Sequence, residues 1–443
     1  MVRKLLSCML LAAAALAAPS QKILPYPYTQ SDLPNGLRLI VVPTDFANIV
    51  ATYIVVQAGS RNEVEEGHTG FAHFFEHVMF KGTEKFSKQN YDQTLQRIGA
   101  SSNAFTSDDL TCYYTVFSKE DLPSVLEMEG DRFRNLKYSE AEFKTEALAV
   151  LGEYNKNSSS PFSRLNETLR AAAYDRSTYK HTTMGFLKDI QDMPNQYEYS
   201  LKFFERFYRP EYTTILVVGD VKPKPVRDLV ERYWGEWKRG SYKAEIPQEP
   251  SQTAPRTAQV SWPGPTLPLV TIAFKSPAFT DTAKDTAALD AFSALAFSAS
   301  SDLYQKLVVQ EQKVDSLSAS NPNRVDAGLF TINARVKKAS DVESVRDEIL
   351  AAIRQFQEKP VEVARLDAVR KRLRYSVATQ MQSSDAIAAI LASYVALRRT
   401  PEALNNLHQQ YAALTPEDVK QAAAKYLAEG SRTIVTLTSG GAR

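Results

Sequence analysis

Two distant stretches of the chain end in the same way. Residues 198–219, EYSLKFFERFYRPEYTTILVVG, and residues 417–438, EDVKQAAAKYLAEGSRTIVTLT, each read as an amphipathic helix, a short turn and an apolar strand. A chain of 443 residues is too long for one ordinary core, since domains run to about 100–200 residues. A repeated helix–turn–strand ending therefore constrains the architecture strongly. It predicts an α+β fold made of two duplicated domains, each an antiparallel-rich sheet packed by helices.

The local patterns supply the elements. In the first half, Leu37–Val42 and Ile49–Gln57 are β-branched runs separated by a short loop. Helices are expected over Thr69–Lys81, Tyr91–Ile98, much of 121–156 and Tyr197–Phe207. Further strands are expected at Asn103–Thr106, Thr111–Phe117 and Thr213–Val218. The second half reads as strands Leu269–Phe274, Gly328–Val336 and Thr433–Leu437, with helices Thr282–Ser298, Val342–Gln357 and Pro416–Leu427. Prolines cluster in PQEPSQTAP and WPGPTLP, which marks residues 246–265 as a linker between a domain at 22–245 and another at 266–443.

Composition excludes several classes. Lys+Arg 53 against Asp+Glu 51 leaves no charge excess to attract nucleic acid or an anionic membrane. The first residues, MVRKLLSCMLLAAAALAAPS, place Arg3 and Lys4 before an apolar run and small residues before Pro19, which reads as a signal peptide over 1–18. Export, to a bacterial periplasm, is the expectation. Cys8 would leave with that segment, so Cys112 remains alone without a disulfide partner and reads as a small core residue. No later stretch approaches the roughly 20 apolar residues of a membrane span.

The chemistry concentrates in GFAHFFEHVMFKGT, residues 70–83. On a helix, His73, Glu76 and His77 share one face. Two imidazoles on adjacent turns can hold one zinc through nitrogen and leave Glu76 beside the ion as a base for water. The order H-x-x-E-H inverts the commoner H-E-x-x-H. The five residues alone also suit a solvated amphipathic helix.

The flanks carry a resemblance. GFAHFFEHVMFKGT is similar to the zinc motif of the pitrilysin and insulinase family of metallopeptidases, and the similarity runs from LPNGLRLIVVP at 33–43 to the final TIVTLTSG. The resemblance implies a zinc endopeptidase whose halves form one side of a clamshell. It implies Glu153, in KTEALAVLGEYNK, as the third zinc ligand and Glu146 as an essential acid behind the ligands. Their interval of seven residues is close to two helical turns, which puts both carboxyls on one face. The resemblance further implies a substrate-binding edge strand in SSNAFTSDDLTCYYTV, with Asn103, Ala104 and Phe105 as candidates for holding an extended peptide.

One departure stands out. Complete members of the family carry an Arg and a Tyr seven residues apart in the second half, and the matching positions here are Val308 and Asp315. Neither can donate to a developing oxyanion. The implied assembly is a heterodimer in which a second, related subunit supplies the Arg–Tyr pair. Two other readings share the fold: a non-catalytic scaffold, and a module that captures peptides without cutting them. Of the remaining histidines, His181 reads as structural, and His68 and His408 as solvated.

Overall fold

A computed structural model of the chain describes residues 22–440, so the expected signal peptide lies outside the described residues. The first sheet contains β1 (Thr29–Asp32), β2 (Arg38–Pro43), β3 (Ile49–Val56), β4 (Ser101–Thr106), β5 (Thr111–Ser118) and β6 (Thr213–Gly219), in the order β1-β2-β6-β3-β5-β4. The second contains β7 (Arg256–Trp262), β8 (Leu269–Lys275), β9 (Val314–Ser320), β10 (Leu329–Val336) and β11 (Arg432–Ser439), in the order β7-β11-β8-β10-β9. Without β1 the two orders correspond position by position. The pairs β2–β6 and β7–β11 are parallel, and every other neighbouring pair is antiparallel. The duplication is thus a matching of topology rather than of residues.

That correspondence corrects the linker. Residues 256–262, inside the expected linker 246–265, form β7, the counterpart of β2. Its sequence RTAQVSW buries no side chain fully, because β7 is a terminal strand paired only with β11. A strand at a sheet edge lacks the continuous apolar run of an interior one, and flanking prolines hid it further. β1, β9 and the helices Val363–Gln380, Ser384–Arg398 and Glu402–Ala413 also went unread.

Both sheets are covered on both faces. Helix Ser384–Arg398, from the second half, lays Ile387, Ala388, Leu391, Ala392 and Val395 against Ile40, Val42, Tyr53, Val55 and Val218 of the first sheet. Reciprocally, helix Pro161–Ala173 packs Leu165, Leu169 and Ala173 against Leu269, Ala273, Val435 and Leu437 of the second. Each half therefore lends one helix to the other. This explains the uninterrupted burial of β6, all seven residues, since a sheet covered twice has no polar face.

Polar groups lock the same exchange. The β4–β5 turn presents the buried Asp108, which accepts from Ser60 Oγ at 3.0 Å and pairs with Arg170 at 2.9 Å and Arg324 at 2.6 Å. Glu249, in the proline-rich segment, accepts from Lys275 Nζ at 2.9 Å and from the amides of Asp175, Arg176 and Ser177. Glu249→Ala should cost about 2–4 kcal/mol in denaturant-measured stability, because those donors lose a charged acceptor. Burial alone would raise the Glu249 carboxyl, but Lys275 and the three amides hold it down to about 2. Its contribution is therefore complete above the ordinary value near 4.5 and is lost as pH falls toward about 2. Acid titration of stability should show that loss in the wild type and not in the variant. Among the described residues no helix is long and apolar enough to cross a membrane.

Candidate metal centre

Helix Phe71–Val78 buries Phe71, Ala72, Phe74, Phe75 and Val78, and the 3.6-residue period leaves Glu76 and His77 on the less buried side, with His73 beneath them. Phe75 stacks on Phe203 with ring centres 5.3 Å apart, and Phe74 meets Phe143 at 4.9 Å. Phe143 belongs to helix Glu140–Ser158, which buries Phe143, Ala147, Val150 and Tyr154. That stripe sets the rotation of the second helix. Glu146 and Glu153, two turns apart, consequently face the histidines.

The convergence is direct. Glu153 Oε2 lies 3.6 Å from His73 Nε2 and 3.4 Å from His77 Nε2. One donor atom from each of these three residues falls within 4.8 Å of the others. Donors about 2.0–2.1 Å from a tetrahedral zinc ion lie about 3.3–3.4 Å apart, so the donor set fits that ion. Two imidazoles and one carboxylate also suit zinc chemically and leave a fourth position open.

Behind the donors, His77 Nδ1 meets Glu146 Oε1 at 3.1 Å, and Lys81 Nζ pairs with the other oxygen of Glu146. A carboxylate on Nδ1 holds the proton there and leaves Nε2 with its lone pair free. The His77 bond, with Lys81 beside it, holds the Glu146 carboxyl down to about 2. The same bond raises the His77 imidazole. Burial, followed by the neighbouring His77, lowers that of His73, which favours the neutral form a metal requires. Lys81 was not anticipated, although its i+4 spacing from His77 was a visible signal.

Glu76, His77 and Glu146 open onto a cleft of about 300 Å³ with Phe80, Lys81, Lys88, Asn103 and Ala104. β4 is the terminal strand of its sheet, paired only with β5. Asn103 and Ala104 therefore border the cleft from a free edge. Phe105 does not line it: the ring turns toward Tyr114 at 6.4 Å.

The second-half positions are equally specific. Val308 sits in the π-helical turn Gln305–Gln310, partly buried against the second core. Asp315, on β9, pairs with Arg335 of β10 where the register shifts. His181 is buried, in keeping with a structural role. His68 and His408, read as solvated, are each only partly exposed. His68 stacks on Tyr199 at 3.8 Å and bonds Gln196 at 2.7 Å. His408 packs edge-on to Tyr411, and burial with Arg374 nearby lowers it to about 4. Tyr199, from a distant helix, covers His68, whereas Tyr411 stands about one turn beyond His408 on the same helix, Glu402–Ala413.

Comparison with known proteins places this arrangement. The family model for "Insulinase (Peptidase family M16)" matches residues 39–186, and that for "Peptidase M16 inactive domain" matches residues 196–373. The zinc protease PqqE of Helicobacter pylori is 30% identical over 98% of this chain and 97% of its own length. A probable mitochondrial-processing peptidase subunit beta of Arabidopsis thaliana is 25% identical over 93% of this chain and 78% of its own. A crystal structure of a protease from Helicobacter pylori superposes with a TM-score of 0.87 at 30% identity, over 93% of this chain and 99% of that one. The chain belongs to the insulinase family of peptidases, M16.

Proposed function

We propose that this chain is the zinc-bearing subunit of a metalloendopeptidase that hydrolyses peptides or unfolded segments inside a closed chamber. The observation that carries the reading is the meeting of His73 Nε2, His77 Nε2 and Glu153 Oε2 beside Glu76, at a cleft bordered by a free strand edge. His73, His77 and Glu153 would hold the ion. Zinc, when bound, supplies Lewis acidity that polarises a peptide carbonyl and makes nearby water more acidic.

The residues of the chain do the rest. Glu76 accepts the proton of the attacking water on a carboxylate oxygen and returns it to the leaving amine. Glu146 keeps the His77 ring oriented through Nδ1. The free edge of β4 takes an extended peptide as an added strand, so main-chain bonds supply affinity with limited demand on side chains.

Val308 and Asp315 stand where complete members carry the Arg and Tyr that grip the developing oxyanion, and a second related subunit would provide that pair. A longer chain of the same fold supports this pairing: the chain covers 48% of the periplasmic protease PqqL of Escherichia coli, at 16% identity. The export signal read in residues 1–18 places the assembly in the periplasm in this proposal.

Elemental analysis of the purified chain should give one zinc per chain. Glu153→Ala should weaken zinc binding by more than about 100-fold, beyond the roughly 10–100-fold effect of an outer partner. A metal-free wild type would instead favour the scaffold reading.

A further inference from the structure

The metal helix is only eight residues long, too short to hold its own geometry in water. Something must set its rotation. Glu63, 2% exposed, lies in the loop before it, and its side chain holds two amides at the start of the first turn: Oε2 accepts from Gly70 N at 2.8 Å and Oε1 from Ala72 N at 2.7 Å. Two bonds to amides two residues apart restrain both rotation and sliding, which one N-cap hydroxyl cannot do.

The surroundings close around this contact. Gly70 has φ +91°, and a Cβ there would meet Ile190 Cδ1 at 2.3 Å. Thr69 Oγ1 donates to Asp189 at 2.7 Å and accepts from Phe186 N at 2.8 Å. Burial pushes the Glu63 carboxyl up, while the Ala72 and Gly70 amides pull it down. The nearest basic group is His181, with Nδ1 3.7 Å away and already bonded to Thr182 O. Among the described residues no Lys or Arg pairs with Glu63. A buried acid held mainly by two helix amides is a costly device for capping alone, where Ser or Thr would suffice.

We propose that Glu63 is a positioning residue that fixes the phase of the metal helix before an ion arrives, so that His73 and His77 present prearranged donors to Glu153. This rests on the metal-centre reading above. Glu63 touches neither ion nor substrate. It acts through the Gly70 and Ala72 amides, and removing it costs metal affinity in the folded protein as well as stability.

The test uses the full chain at 25 °C. Zinc affinity is measured by competition with a chromophoric chelator, and donor geometry by the visible spectrum of the cobalt-substituted protein. Glu63→Gln should weaken zinc binding by about 10–100-fold and alter the cobalt bands, and Glu63→Asp, which keeps the carboxyl group but shortens the reach, should also weaken it. Lower thermal stability with unchanged zinc affinity and an unchanged cobalt spectrum would overturn the proposal while leaving the metal centre intact. A wild type that binds no zinc would overturn both. Should neither variant fold, hydrogen exchange on the metal-free wild type decides: the Gly70 and Ala72 amides should be protected like those of β6, and rapid exchange there would sink the idea.

Discussion

Glu76→Gln is expected to retain zinc and to lose about 10²–10⁴-fold in kcat, the range a positioned general base supplies. The reason lies in its place: Glu76 borders the cleft with His77 but is not among the three residues whose donor atoms converge. The amide is nearly isosteric, so helix Phe71–Val78 and its apolar contacts should persist, yet it cannot accept the proton of water. Zinc content, circular dichroism and peptide turnover are measured together. A variant that cleaves at the wild-type rate would remove Glu76 from the chemistry. One that binds peptide and never cleaves it, beside a wild type that cleaves, separates an enzyme from a peptide-capturing module.

The second large effect is dependence on a partner. The isolated chain should turn over slowly, and the subunit that co-purifies with it from the native source should raise kcat by about 10²–10³-fold for each oxyanion donor it brings. Val308 is aliphatic and packed on the second core, and Asp315 is negative and engaged by Arg335. Neither side chain offers a proton donor, and both are engaged away from an oxyanion. A monomer or homodimer already at full rate, with no gain on adding the partner, would refute the heterodimer. Chelator sensitivity of the restored activity would assign it to the zinc of this chain rather than to the partner.

Much of the site was legible because its information is local. The period of a helix puts His73, Glu76 and His77 on adjoining turns, and the same period aligns Glu146 with Glu153. Bringing the two helices together is another matter. That depends on Phe74 meeting Phe143, a contact between residues 69 positions apart that no pattern announces. His68 follows the same rule: Tyr199, 131 positions away, stacks on its ring. β7 failed for a different reason. As a terminal strand it has no apolar run, and only its seven-residue register with β11 identifies it.

The amino-acid sequence by itself determined that His73, Glu76 and His77 share a helix face, that Glu146 and Glu153 lie two turns apart, the interior strands and the twofold repetition of α+β grammar, because each is written in periodicity over a few turns or strands; the ligand role of Glu153 came from the family resemblance. Only the tertiary structure decided that Glu146 reaches Nδ1 of His77 while Glu153 faces Nε2, that helices Pro161–Ala173 and Ser384–Arg398 are exchanged between the halves, and that Glu63 grips the metal helix. These outcomes depend on which distant surfaces bury one another. Burial is non-directional and scales with area, so it leaves no address in the local pattern.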